Sequence, residues 1–125
     1  PVFYTGILYE EGGREIVSLR GESTHLGKEK VSKSLLPHEE NTLEGISNSL
    51  RDKVRVEDWN SYSVRVETLA DSSYRLTHTI NGHLMTHVID ASGKGASSGL
   101  LGLQLHEGRN MKVEFKHIRI KHLNQ

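Results

Sequence analysis

The sequence predicts an all-β fold, an antiparallel β-sandwich (jelly roll, concanavalin A-like) with one short helix. Three observations carry this. Apolar and polar residues alternate over several short runs, turn-forming Gly, Asn and Ser separate those runs, and only one stretch shows helical spacing. Many short strands joined by turns make a sandwich or jelly roll. A chain of 125 residues fits one domain, 1–125, with one core.

The first strands are expected around Val2–Tyr9 and Glu15–Leu19, joined by the polar turn Glu10-Glu11-Gly12-Gly13-Arg14. The run after Pro1 reads as strand at once, without an initiator Met, a basic leader or a signal core. The domain is therefore expected to lack its first strands, with another chain or segment supplying the neighbour that an open edge needs. Residues 21–40 are polar and read as loop. Leu43, Ile46, Leu50 and Val54 then recur at spacings of three and four, and Asn41 and Glu44 are placed for a capping box.

The second half is more strongly β-like. Trp59, Tyr62, Val64 and Val66 are apolar landmarks, and the alternation of the last three with Ser61, Ser63, Arg65 and Glu67 reads as a half-buried strand. Tyr74–Ile80 and His83–Ile89 flank Asn81-Gly82, the strongest short hairpin signal, because a type I′ turn needs positive φ at both central residues. Gly99–His106 alternates again, with Leu101, Leu103 and Leu105 expected in the core and Gln104 and His106 on the opposite face. In Met111–Leu123 the apolar parity changes near Lys116-His117, which predicts a bulge.

Composition removes several classes of function. Sixteen Lys+Arg balance sixteen Asp+Glu, so the positive excess that phosphate-backbone binding demands is missing and nucleic acid is not an expected partner. No run approaches the ~18 apolar residues of a membrane span. The absence of cysteine rules out disulfides, thiolate nucleophiles and Cys-ligated zinc.

Three motifs match on paper only. Gly95-Ala96-Ser97-Ser98-Gly99 has the pattern of a nucleophile elbow, but it follows a hairpin and enters an alternating run rather than a helix, so it reads as a loop. Gly93-Lys94-Gly95 lacks phosphate-loop spacing. A simple two-residue turn would put His78, His83 and His87 on one face, yet His83 and His87 would then stand ~13 Å apart, so no metal site is expected. Gln104 and His106, side by side on an outer face, offer the donors and acceptors that a polar ligand such as a sugar uses.

Five segments in order carry a resemblance. They are Thr5-Gly6-Ile7-Leu8-Tyr9-Glu10-Glu11-Gly12-Gly13-Arg14, Asp58-Trp59-Asn60-Ser61-Tyr62, Ile80-Asn81-Gly82, Gly102-Leu103-Gln104-Leu105-His106-Glu107-Gly108 and Met111–Ile120. Together the chain resembles the later part of the 3-keto-disaccharide hydrolase domain family, whose fold is similar to that of concanavalin A-like lectins and glucanases. The resemblance implies action on glycosides oxidised at C3 of the sugar, by hydrolysis or β-elimination, with a carbohydrate ligand and no cofactor. It implies proton transfer by His106 and Glu10, orientation or enolate stabilisation by Gln104, Tyr9 and Lys112, substrate positioning by Arg14, and a lesser part for His78. A periplasmic or extracellular setting goes with it. A different class of function, a non-catalytic carbohydrate-binding or interaction module of a larger secreted protein, uses the same fold. A structural fragment completing another chain's sandwich is a third.

Overall fold

The computed structural model describes residues 4–108 and 110–123. The chain divides into two units, Pro1–Gly95 and Ala96–Gln125, each described by itself. All regular secondary structure among the described residues lies in the first. Its order is β1 (Leu8–Glu10), β2 (Glu15–Ser18), β3 (Glu22–Leu26), β4 (Val31–Leu35), α1 (Leu43–Arg51), β5 (Tyr62–Thr68), β6 (Tyr74–Ile80) and β7 (His83–Asp90).

The fold is all-β, with two sheets and one short helix. β1 and β2 form a small antiparallel sheet, and the other five strands form a second sheet in the order β4-β3-β7-β6-β5. The expected antiparallel pairing holds except between β3 and β7, which run parallel. These two strands are far apart in sequence, so no tight turn dictates their direction.

Two apolar clusters hold this unit together. Val17, Leu26 and Val88 join the small sheet to the large one, with Leu8 and Leu76 packed against them. Leu36, Ile46, Leu50, Ile80 and Met85 seat the helix on the other end of the sheet. Arg20, 4% exposed, binds this end by donating from Nε to the Ser47 carbonyl at 3.0 Å and from Nη1 to the Thr5 carbonyl at 2.7 Å.

The helix begins one residue later than the capping box predicts. Thr42, not Asn41, is the N-cap, with its hydroxyl accepting from the Gly45 amide at 3.1 Å. Glu44 in the first turn and Arg51 in the last complement the helix dipole.

Residues 21–40 form a hairpin, β3–β4, where a loop was expected. The core-facing positions of β3 include Glu22 and Thr24, so the strand carries little hydrophobic signal. Their polar atoms are satisfied by neighbouring segments: the Ser18 and Thr24 hydroxyls lie 2.8 Å apart, and Glu22 accepts from the Leu19 amide and from Lys33. The hairpin closes through the Gly27 amide donating to the Lys30 carbonyl at 2.8 Å.

The Asn81-Gly82 turn has φ of 52° and 78° at its two residues, as a type I′ turn requires. Gly82→Val should cost on the order of 1 kcal/mol or more, because a β-branched residue fits left-handed space badly. The melting temperature of the variant checks this, and an unchanged value would contradict it.

Beyond the turn the register departs from a simple hairpin. Ile80 pairs with His83 and Thr79 with Leu84, but His78 pairs with Thr86 and Thr77 with His87. Met85 is the extra residue of a bulge, which shifts the parity of every later side chain on β7. His87 therefore moves to the face opposite His78, where its Nδ1 lies 3.1 Å from the Ser23 hydroxyl. The shared histidine face does not form.

Three further expectations are corrected. β5 is an edge strand, and Tyr62, Val64 and Val66, like Trp59 before it, are exposed rather than half-buried. Among the described residues of the second unit no strand forms. Leu101, Leu103 and Leu105 are 69%, 55% and 67% exposed. Alternation gives a strand its sidedness, but a strand also needs a hydrogen-bonded neighbour, and this unit has none among its described residues. No bulge exists at Lys116-His117 without a strand to interrupt, although His117 itself has a positive φ of 54°. Val2 lies outside the described residues.

Candidate functional site

The first polar turn of the chain builds a connected, charged side-chain cluster in the first unit. β1 ends at Glu10, and Gly12, with φ of 69°, turns the chain back toward β2. The turn brings Arg14 under Glu10, whose carboxylate accepts from both the backbone amide and Nε of Arg14. Arg14 Nη1 donates to Asp90 Oδ2 at 2.8 Å and to the Ser92 hydroxyl at 3.2 Å. The end of β7 is thereby tied to the β1–β2 turn, 76 residues away in sequence.

Asp90 is only 6% exposed and both its oxygens are used. Oδ2 takes Arg14, and Oδ1 accepts from the amide and hydroxyl of Ser92. Burial pushes its carboxyl up, but the hydrogen bonds from Ser92 and Arg14 outweigh that and hold it below its ordinary range. Glu10 is held low as well, by the Arg14 side chain first and the Arg14 amide second. Arg14 is in turn held more firmly in its charged form, chiefly by Glu10. The result is a guanidinium fixed in orientation by two carboxylates, with Nη2 unengaged by any described residue.

Tyr9 stands next to Glu10 on a strand and so faces the other way. Its hydroxyl donates to Glu15, which raises its pKa and keeps the phenol protonated. Glu15 itself takes a positive φ of 61°.

His78, 7% exposed, lies within the large sheet, its ring 4.6 Å from that of Tyr62 and tilted against it. Burial lowers its pKa, and its Nε2 has no hydrogen-bond partner among the described residues. It takes no part in the Arg14 cluster.

Gln104, His106 and Lys112 belong to the second unit, on exposed chain without regular structure. His106 Nδ1 lies 2.7 Å from the Glu107 carbonyl, and Lys112 pairs with Glu114 at 3.3 Å. Of the residues the motifs single out, the first unit thus brings together Glu10 and Arg14, with Tyr9 beside them on the opposite strand face.

Asp90, Ser92 and Glu15 escape the sequence reading. A signal for the first two is present: Asp90-Ala91-Ser92 repeats the Asp-x-Ser pattern of Asp71-Ser72-Ser73, and in both the serine amide donates to the aspartate at 3.0 Å. Such Asx turns fix a carboxylate at a strand end.

A family model described as the 3-keto-alpha-glucoside-1,2-lyase-like domain matches residues 3–121. The chain belongs to this family. The match covers nearly the whole chain and bears out the resemblance drawn from its five segments. No curated protein and no solved structure matches significantly.

One glycine of the family segment 5–14 has a direct bearing on the cluster. A Cβ at Gly13 would lie 2.8 Å from Cδ of Glu10. Gly13→Ala should drive the Glu10 carboxylate off Arg14, since a flexible side chain yields before backbone does. Stability should change by less than about 1 kcal/mol, while any activity that depends on a fixed Arg14 should fall by roughly tenfold or more. Melting temperature and turnover measured on the same preparation separate the two effects. Full activity in the variant would mean that the Glu10–Arg14 pair does not matter for function.

Proposed function

We propose that this domain cleaves glycosides whose sugar is oxidised at C3, by elimination across C1–C2 followed by addition of water. The family match over residues 3–121 carries the reading. The C3 ketone acidifies the C2 proton, so a base can remove it and leave an enolate. Collapse of the enolate forms the C1=C2 bond and breaks the C1–O bond, and the departing oxygen takes a proton. Water then adds at C1 while C2 regains a proton.

The chemistry asks for a proton acceptor, donors for the enolate oxygen and a proton donor for the leaving group. Arg14 suits the second task. Its charge is permanent, its plane is fixed by Glu10 and Asp90, and its Nη2, unengaged by any described residue, can donate where negative charge develops. Tyr9 donates its one hydroxyl proton to Glu15, so its part is to orient the substrate rather than to donate to the enolate oxygen. The resemblance implies proton transfer by Glu10, but a carboxylate held low by a guanidinium is a weak base. We therefore give Glu10 a positioning part beside Arg14; proton transfer by His106 and orientation by Gln104 and Lys112 rest on the resemblance alone.

The test is release of aglycone from an aryl 3-keto-glucoside, with the unoxidised aryl glucoside as control. Turnover of the ketone alone is expected. Equal turnover of both would remove the ketone from the mechanism, and turnover of neither would contradict the proposal.

A further inference from the structure

A second feature of the first unit adjoins Arg14. A cleft of about 260 Å³ opens between β2, the β3–β4 hairpin and the loop after β7. Val17 and Leu26 contribute apolar surface, and Arg14, Lys28, Lys30, Lys33 and Lys94 supply five cationic side chains against the single carboxylate of Glu29.

Two of these cations are already matched. Arg14 is held by Glu10 and Asp90, and Lys33 pairs with Glu22 at 3.0 Å. Lys28, Lys30 and Lys94 form no ion pair among the described residues. The chain as a whole carries no net charge, so this positive field is local rather than a reflection of composition.

The hairpin that presents two of the lysines is rigidly closed. The Gly27 amide bonds the Lys30 carbonyl at 2.8 Å, and a Cβ at Gly27 would stand 2.9 Å from that same oxygen. Lys28 and Lys30 thus leave a fixed turn on either side of Glu29, with Lys94 contributed by a different part of the chain. The volume falls just below the roughly 300–1,000 Å³ of small-molecule pockets, which suits one sugar ring or its charged substituent rather than an oligosaccharide.

We propose that this cleft binds an anionic substituent, so that the saccharide taken by the domain is acidic, bearing a carboxylate or a sulfate ester. That the anion belongs to a saccharide rests on the glycoside reading above; that the cleft takes an anion does not. Lysines suit the task as compact charges with three donors each, able to follow either oxyanion.

Calorimetric titration of the full chain with methyl glucuronide, methyl glucoside 6-sulfate and neutral methyl glucoside tests this. At least one acidic glycoside should bind about tenfold or more tightly than the neutral one, as expected when charge-assisted hydrogen bonds are added. The preference should shrink when ionic strength rises from about 0.01 M to about 0.1 M, because the screening length falls from ~30 Å to ~10 Å. It should vanish in the Lys28→Ser/Lys30→Ser/Lys94→Ser variant, with the melting temperature unchanged because all three side chains are exposed.

The arm that binds more tightly decides between carboxylate and sulfate. Equal affinity for acidic and neutral glycosides, binding of none of them, or a preference that survives in the triple variant would overturn the proposal. Acidic binding without turnover of any 3-keto-glucoside would leave the anion site standing and remove the lyase reading, so the two fail separately.

Discussion

Arg14→Gln should lower aglycone release by roughly 10²-fold or more, the scale seen when one preorganised donor to a developing oxyanion is lost. The substitution keeps a planar polar group but removes the charge that Glu10 and Asp90 orient. It also leaves Asp90, buried at 6% exposure, with Ser92 as its remaining partner. A stability loss of about 1–3 kcal/mol is the expected scale for a buried acceptor deprived of a partner. The pH dependence gives that loss a signature. Arg14 helps to hold the Asp90 carboxyl below its ordinary value of 3.8, so its stabilising contribution is present above that value and disappears as pH falls through the folded-state pKa. The melting temperatures of the two proteins should therefore differ most above about pH 5 and converge as pH falls through the folded-state pKa. A gap that is the same at every pH would mean that the Arg14–Asp90 pair contributes no charge-dependent stability.

Ile46→Ala should be the most damaging single change to the fold. Ile46 is 0% exposed and stands in the cluster of Leu36, Leu50, Ile80 and Met85 that seats the helix. Its Cγ2 lies 3.0 Å from where a Cβ at Gly21 would be, so helix and backbone are in close contact there. Gly21 has φ of 96° and receives its place in the fold from an amide donating to the Met85 carbonyl at 2.8 Å. Truncation at this point removes buried methyl groups and leaves a cavity, at a cost of about 2–5 kcal/mol. Against the roughly 5–15 kcal/mol by which small domains are stable, that is a large share. Urea unfolding measures it, and a loss below about 1 kcal/mol would show that the helix is not held through this residue.

Legibility in the sequence followed how each element is stabilised. The β6–β7 hairpin was readable because its turn chemistry is local: Asn81 and Gly82 need nothing beyond themselves to favour positive φ. The helix was readable from the spacing of Ile46 and Leu50, and its start was missed by one residue because Asn41 and Thr42 are both good caps and only the fold decides between them. The β3–β4 hairpin was hidden because its inward side uses Glu22 and Thr24, whose burial depends on partners in other segments. The bulge at Met85 was invisible for a related reason. A bulge is fixed by neighbouring strands, and it alone moved His87 away from His78.

The site divides in the same way. Glu10 and Arg14 lie in one turn and could be proposed together, whereas Asp90 and Ser92 reach Arg14 only through the sheet. Leu101, Leu103 and Leu105 mark the limit of pattern reading. Their alternation states which side would be buried if a strand formed, and says nothing of whether a neighbour exists to form it.

The most direct measurement is proton NMR of the sugar product after turnover of an aryl 3-keto-glucoside in deuterium oxide. Elimination and water addition replace the C2 proton with solvent deuterium, so the released 3-keto-glucose should carry deuterium at C2 from the earliest time points, ahead of uncatalysed exchange. Product that keeps its C2 proton while aglycone is released would contradict the account, because the glycosidic bond would then be broken without passing through C2.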